Sequence, residues 1–182
     1  MLEYPESHIL ASQINRALKN RKIVRVIANS SPHKFAWFNG SSSQYPALLK
    51  DRTIKSATAF GGMVEIDFDG IYLVIGDGTN LSWHSNSKNI PIKHQLLLEL
   101  DDHSTITCSV QMYGGIWAFK EGAFNNPYYL GSKKAIPLDA SDFTLEYFLE
   151  KTQQFGSLSQ SLSRHRAALC RIGKRCFARH SF

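Results

Sequence analysis

Between Met63 and Ile75 the chain reads Met-Val-Glu-Ile-Asp-Phe, then Asp69-Gly70, then Ile-Tyr-Leu-Val-Ile. Two apolar-rich runs joined by Asp-Gly carry the strongest short-range hairpin signal, because that dipeptide accepts the positive φ angles of a two-residue turn whose twist matches the strands. The pattern recurs on either side. Thr53 to Ala57 precedes the hairpin, Gln95 to Leu100 and Thr105 to Gln111 pair across Asp101-Asp102-His103-Ser104, and Ile116 to Phe119 follow a Gly114-Gly115 kink. Short strands in this number need a second layer to bury their apolar faces, so the expected core is a two-layer antiparallel β-sandwich.

One amphipathic helix comes first. Leu10, Ile14, Ala17 and Leu18 share a face of a helix expected from Glu6 to about Asn20, with Pro5 and Glu6 suited to its first turn. Lys22 to Ala28 reads as a strand, Pro32 to Ser43 as an aromatic loop, and Tyr45 to Lys50 as a short helix at most. Pro137 to Asp142 marks a boundary, after which Ser141 or Asp142 can cap a helix through Phe143, Tyr147, Phe148 and Lys151. The fold class is therefore α+β, mainly β. Residues 1–137 form the N-terminal helix and sandwich, 138–154 the start of a helical domain, and 155–182 a poorly ordered tail.

The net charge of +6 is unevenly placed. Residues 153–182 hold six Lys/Arg and no Asp/Glu, leaving 15 basic and 15 acidic side chains in residues 1–152, so the bulk charge is no argument for nucleic-acid binding. Cys108, Cys170 and Cys176 lack both the even number of a disulfide framework and the short spacing of a zinc site. No metal or other cofactor is expected. No apolar run approaches the roughly 20 residues of a membrane span, and a cytoplasmic monomer is the expectation.

Met1-Leu2-Glu3-Tyr4-Pro5-Glu6 resembles the Met-Pro-Glu-x-Pro-Glu start of the formamidopyrimidine-DNA glycosylase and endonuclease VIII family, and the order of helix, sandwich and helical segment is similar over residues 1–152. The resemblance implies a base-excision repair protein that removes oxidised bases from damaged double-stranded DNA and cleaves the strand as a lyase. Glu3 falls on the carboxylate that handles protons, and Glu6 on the one that places the sugar and the helix start. Leu2 stands where the proline nucleophile belongs, and it is too bulky for ordinary methionine removal, so the expected nucleophile is the primary amine of Met1. An α-amino group titrates near pH 8, so a usable fraction is neutral near pH 7.

The family's second catalytic group, a lysine after a glycine, corresponds to Gly62 in Phe60-Gly61-Gly62-Met63. Lys34, in the aromatic stretch Pro32-His33-Lys34-Phe35-Ala36-Trp37-Phe38, is the candidate replacement, with His33 beside it. That stretch suits either base stacking or closure of the sandwich end. Asp77, between Gly76 and Gly78, replaces an apolar wedge that probes the duplex, while Met112 and Tyr113 cover the second wedge. Each of these two stretches reads equally well as a turn or bulge. Leu2 and Gly62 leave a catalytically impaired damaged-DNA-binding relative as the alternative to an enzyme.

The family continues into a helix-two-turn-helix domain carrying Gly-x-Gly-Asn, which residues 153–182 lack. Back-translated with degenerate codons and read one base later, Leu158 to Phe182 permits Ser-Val-Lys-Ala-Phe-Leu-Ala-Thr-Glu-Gln-Arg, two looser positions, and Gly-Leu-Gly-Asn-Gly-Val-Leu-Gln-Asp-Ile-Leu. A frameshift near residues 152–158 accounts for this run and for the basic tail. As this truncated chain the protein is then expected to be inactive, or a nonfunctional fragment.

Overall fold

The computed structural model describes residues 2–76, 78–86 and 90–156. Helix α1 spans Tyr4–Ala17, two residues earlier than the periodicity indicated. Glu3 is its extended N-cap, and a reciprocal capping box forms: the Glu3 carboxylate accepts the Glu6 N–H, and Glu6 Oε2 accepts the Glu3 N–H at 3.0 Å. Ser7, Ala11 and Ile14 face inward at helical spacing. Asn15 fastens the helix to the sheet, donating to Ala57 O at 2.7 Å and accepting from Ala57 N at 2.8 Å.

Two sheets pack as layers. One has the order β1 (Ile23–Ala28), β7 (Leu96–Leu100), β8 (Thr105–Val110), β6 (Thr79–His84), all antiparallel. The other runs β2 (Ala36–Phe38), β9 (Gly114–Lys120), β5 (Ile71–Ile75), β4 (Met63–Asp67), β3 (Ser56–Phe60). The Asp69-Gly70 turn joins β4 to β5 as its chemistry requires, with φ angles of 66° and 79°.

Two strands depart from expectation. β2 lies within the expected aromatic loop and pairs in parallel with β9, Ala36 against Gly114, so this sheet is mixed. β6 follows directly on the Gly76–Gly78 stretch and pairs with β8 from Thr79↔Val110 to His84↔Thr105.

The core between the layers is built of Ile14, Ile23, Ile54, Ile66, Leu73, Ile75, Leu98 and Leu100, all at most 2% exposed. Tyr45, at the start of α2 (Tyr45–Leu49), is fully buried with its hydroxyl satisfied. It donates to Ile116 O at 2.7 Å and accepts from Asn39 N at 2.9 Å and Ala118 N at 3.1 Å, continuing the β9 ladder where β2 ends.

Helix α3 (Pro127–Lys134), absent from the sequence expectation, is capped by Asn126 through Tyr128 N and Tyr129 N. It buries Tyr129 with Met63, Val74 and Phe119. Glu65 is buried beneath it, accepting from the Tyr129 hydroxyl and from Lys133 Nζ at 3.0 and 3.1 Å. Burial, with the Glu65 contact second, pushes the Tyr129 phenol well above its ordinary range.

This compact unit runs to Ala135, and a second begins at Ile136. In the second, α4 spans Leu145–Gly156. The Thr144 hydroxyl accepts the Tyr147 N–H at 3.1 Å, so the cap is Thr144 rather than Ser141 or Asp142, and Phe143 precedes the helix. The expected tail lies, from residue 157, outside the described residues.

Candidate nucleic-acid interface

The chain start is held against the β3–β4 turn. The Ser7 hydroxyl, completely buried, sits 2.7 Å from both Tyr4 O and Gly61 O, which share its one proton. A Cβ on Gly62 would lie 3.0 Å from Leu2 O, so the backbone at 62 and the residue after Met1 touch. Sequence positions sixty apart thereby meet.

Beside this contact opens a cavity of about 350 Å³. Leu2, Glu6 and Leu10 line it from α1, Gly78, Thr79, Asn80 and Leu81 from the start of β6, and Gln111 from the β8–β9 loop. The Thr79 hydroxyl is engaged with Gly76 O at 2.6 Å, and one Glu6 oxygen serves the capping box. The lining thus offers one carboxylate oxygen outside the capping box, with Asn80 and Gln111 as its other polar residues. These can hydrogen-bond a polar ring or a sugar. Among the described residues no thiol, imidazole or ammonium lines the cavity.

A second group forms around the β2–β9 pairing. Gly114 N donates to Phe35 O at 2.9 Å, joining the loop before β2 to the start of β9. Lys34 Nζ lies 5.4 Å from the Phe35 ring centroid, and the Phe35 N–H donates to His33 Nδ1 at 3.3 Å. The Trp37 and Tyr113 rings are 6.0 Å apart. Phe35, Trp37, Tyr113 and Met112 are all exposed, Met112 the most at 74%.

The sequence-derived site residues therefore fall into two groups. Leu2, Glu3, Glu6 and Gly62 meet at the chain start, whereas His33, Lys34, Met112 and Tyr113 meet at the sheet edge. Lys34 is not among the residues lining the cavity. Met1 and Asp77 lie outside the described residues.

Sequence reasoning did not single out Asn80, Gln111 or Trp37 as site residues. The alternation Thr79-Asn80-Leu81 was the available signal for the first, since it turns Asn80 to the opposite face from its neighbours. Among the described residues no cluster of His, Cys, Asp and Glu could hold a metal ion. The buried Cys108 thiol is pushed up to about 12 by desolvation and is inert at neutral pH.

The architecture is that of the N-terminal helix and β-sandwich of formamidopyrimidine-DNA glycosylases. Solved structures sharing it include MutM in complex with carbocyclic 8-oxo-G containing DNA, at 18% identity and a TM-score of 0.67, covering 84% of this chain and 57% of that one. Lactococcus lactis Fpg with an abasic site containing DNA matches at 20% identity and a TM-score of 0.66, covering 82% and 55%. Wild-type Lactococcus lactis Fpg (MutM) with an oxidized pyrimidine containing DNA matches at 18% and 0.58, covering 71% and 48%. The chain thus spans about half the length of the structures it matches. No protein-family model matches it, and no curated protein does. Among the described residues no helix is long and apolar enough to cross a membrane.

Proposed function

We propose that this chain is the lesion-facing domain of a base-excision repair protein related to the formamidopyrimidine-DNA glycosylases, and that it binds damaged double-stranded DNA with little or no lyase turnover of its own. The observation that carries this reading is the chain start. Glu3 and Glu6 are joined by their capping box, Glu6 lines a cavity of mixed polar and apolar residues, and the Gly62 turn packs on Leu2. Gly78 and Gln111 line the same cavity. A terminal amine attacking the sugar remains the chemistry available to such a start, with Glu3 as its proton carrier. Leu2 and Gly62 remove the secondary amine and the cation that would make it efficient. On this reading the protein is a cytoplasmic monomer.

The test pairs two readouts on one duplex bearing an abasic site. Gel retardation of that duplex in preference to an undamaged one supports lesion binding. A covalent adduct on borohydride reduction would show that an amine at the chain start still forms a Schiff base. Equal retardation of both duplexes without an adduct overturns the reading. The codon compatibility of residues 158–182 favours a second possibility, a fragment that lost its helix-two-turn-helix domain by frameshift. The gene sequence decides it: absence of Gly-Leu-Gly-Asn codons in the next frame ends that account. A frame-restored protein should then bind far more tightly than the 182-residue chain.

A further inference from the structure

The outer face of the five-stranded sheet carries aromatic rings on β2, β9 and β5 and is covered only in part. Over β9 the rings are sealed: Phe119 stacks on Phe124 at 4.5 Å, Trp117 lies 5.4 Å from Phe124, and Tyr129 of α3 closes on Phe119 at 5.7 Å. At the β2 edge the same face is open. Trp37 is 51% exposed and Phe35 46%.

Alternation along β2 puts Phe35 and Trp37 on one side, and along β9 it puts Tyr113, Gly115 and Trp117 on that same side. Trp37 pairs with Gly115, which offers no side chain. The space over Gly115 is filled by the Trp117 indole, which a Cβ there would meet at 2.0 Å. The Trp37 ring packs toward Tyr113 at an interplanar tilt of 36° and stays half exposed. Lys34 sits over Phe35 at the rim.

Aromatic rings at alternate positions on adjacent strands of an open sheet edge suit bases that are unstacked and splayed, as sheet-based nucleic-acid modules show. The residues are aromatic rather than aliphatic, and among the described residues the charged group seated on one of their rings is Lys34, so ring faces rather than phosphates are the ligand's recognised feature. Bases inside an intact duplex cannot offer those faces.

We propose that Phe35, Trp37 and Tyr113 form a stacking platform for roughly two or three unpaired bases of single-stranded DNA, separate from the cavity at the chain start. The choice of DNA rests on the function proposed above. The strand displaced or unpaired beside a lesion is the ligand this surface takes.

The experiment titrates the 182-residue chain with a labelled deoxythymidine oligomer of about ten nucleotides, reading anisotropy and tryptophan quenching at roughly 0.3 M salt, where phosphate attraction to the basic tail is screened. Binding with quenching is expected. Trp37→Ala should weaken it at least about fivefold, Trp37→Phe should largely restore it, and Trp83→Ala, an exposed indole on β6 of the other sheet, should change nothing. The abasic duplex is measured in parallel. Duplex binding without oligomer binding overturns the platform and leaves the repair reading standing; oligomer binding unaffected by Trp37→Ala overturns the platform as well. Self-association abolished by Trp37→Ala, with no oligomer binding, assigns the patch to protein contact and overturns it too. Failure on both DNAs overturns both proposals.

Discussion

Gly78 is the residue on which the cavity and the platform both depend, and Gly78→Ala measures that dependence. Its φ is +80°, and a Cβ built there lies 1.7 Å from the Tyr113 carbonyl oxygen and 2.9 Å from its carbon. Ordinary van der Waals contact begins near 3.4 Å, so the β8–β9 loop must retreat by well over an ångström. Retreat strains the Gly76 N to Gly115 O bond of 2.8 Å and the Gly114 N to Phe35 O bond of 2.9 Å. The left-handed conformation costs alanine roughly 1–2 kcal/mol, and each lost hydrogen bond about 1 kcal/mol net. The sum is roughly 3–4 kcal/mol. Gly70→Ala is the control, because Gly70 has a φ of +79° and a Cβ there meets nothing within 4 Å. It carries the conformational term alone. Urea unfolding followed by far-ultraviolet circular dichroism should give a midpoint for Gly78→Ala about 1 M or more below that of Gly70→Ala, for a slope of roughly 2 kcal/mol per molar. Midpoints within experimental error of each other would refute the clash, and with it the claim that the two loops are locked together.

Tyr45→Phe removes a hydroxyl and strands Ile116 O and Ala118 N in the core, so it should destabilise the domain by about 2–4 kcal/mol despite a nearly unchanged shape, as read from the same unfolding curves. Asp102 is held below the ordinary carboxylate range chiefly by the Ser104 hydroxyl at 2.6 Å, with Arg21 assisting. A lowered folded pKa stabilises above the unfolded value near 4 and is lost as pH falls through the folded one. Asp102→Asn should therefore lower the urea midpoint by a constant amount from pH 7 to 5, and the difference from the parent should vanish in acid; a difference that grows toward low pH contradicts the assignment. With Cys170→Ser and Cys176→Ser in place, the buried Cys108 should ignore a thiol reagent at pH 8 until urea unfolds the domain.

The local pairings were legible because each is written in adjacent residues: the Asp69-Gly70 turn, the β7–β8 strands across Asp101 to Ser104, and the α1 stripe of Leu10 and Ile14. What was missed is non-local or masked by composition. β2 is three residues long and exists because Ala36 pairs with Gly114, far along the chain. In α3, Gly131 and a weak apolar stripe hid a helix whose Asn126-Pro127 start was nonetheless a usable cap signal. Glu65 alternates to the solvent face of β4, and only the arrival of α3 makes that face interior. At the site, the hexapeptide placed Glu3 and Glu6 at the start of α1. The amides of Asn80 and Gln111 stood out only once β6 and the β8–β9 loop had been brought to the same cavity.

Leu2 and Gly62 look in the sequence like two separate departures from a catalytic pattern. In space they are one contact. With the Leu2 carbonyl 3.0 Å from where a Cβ at 62 would stand, any side chain at 62 must displace the chain start by a few tenths of an ångström. The start in turn is fixed by the Glu3–Glu6 box and by Ser7 on Gly61 O. On the function proposed above, Gly62→Lys alone would press on the residue next to the proposed nucleophile, and Leu2→Pro alone would leave the site without a cation at 62. The two positions are therefore coupled, and substitutions there should be non-additive, because contacting residues share the strain that either introduces.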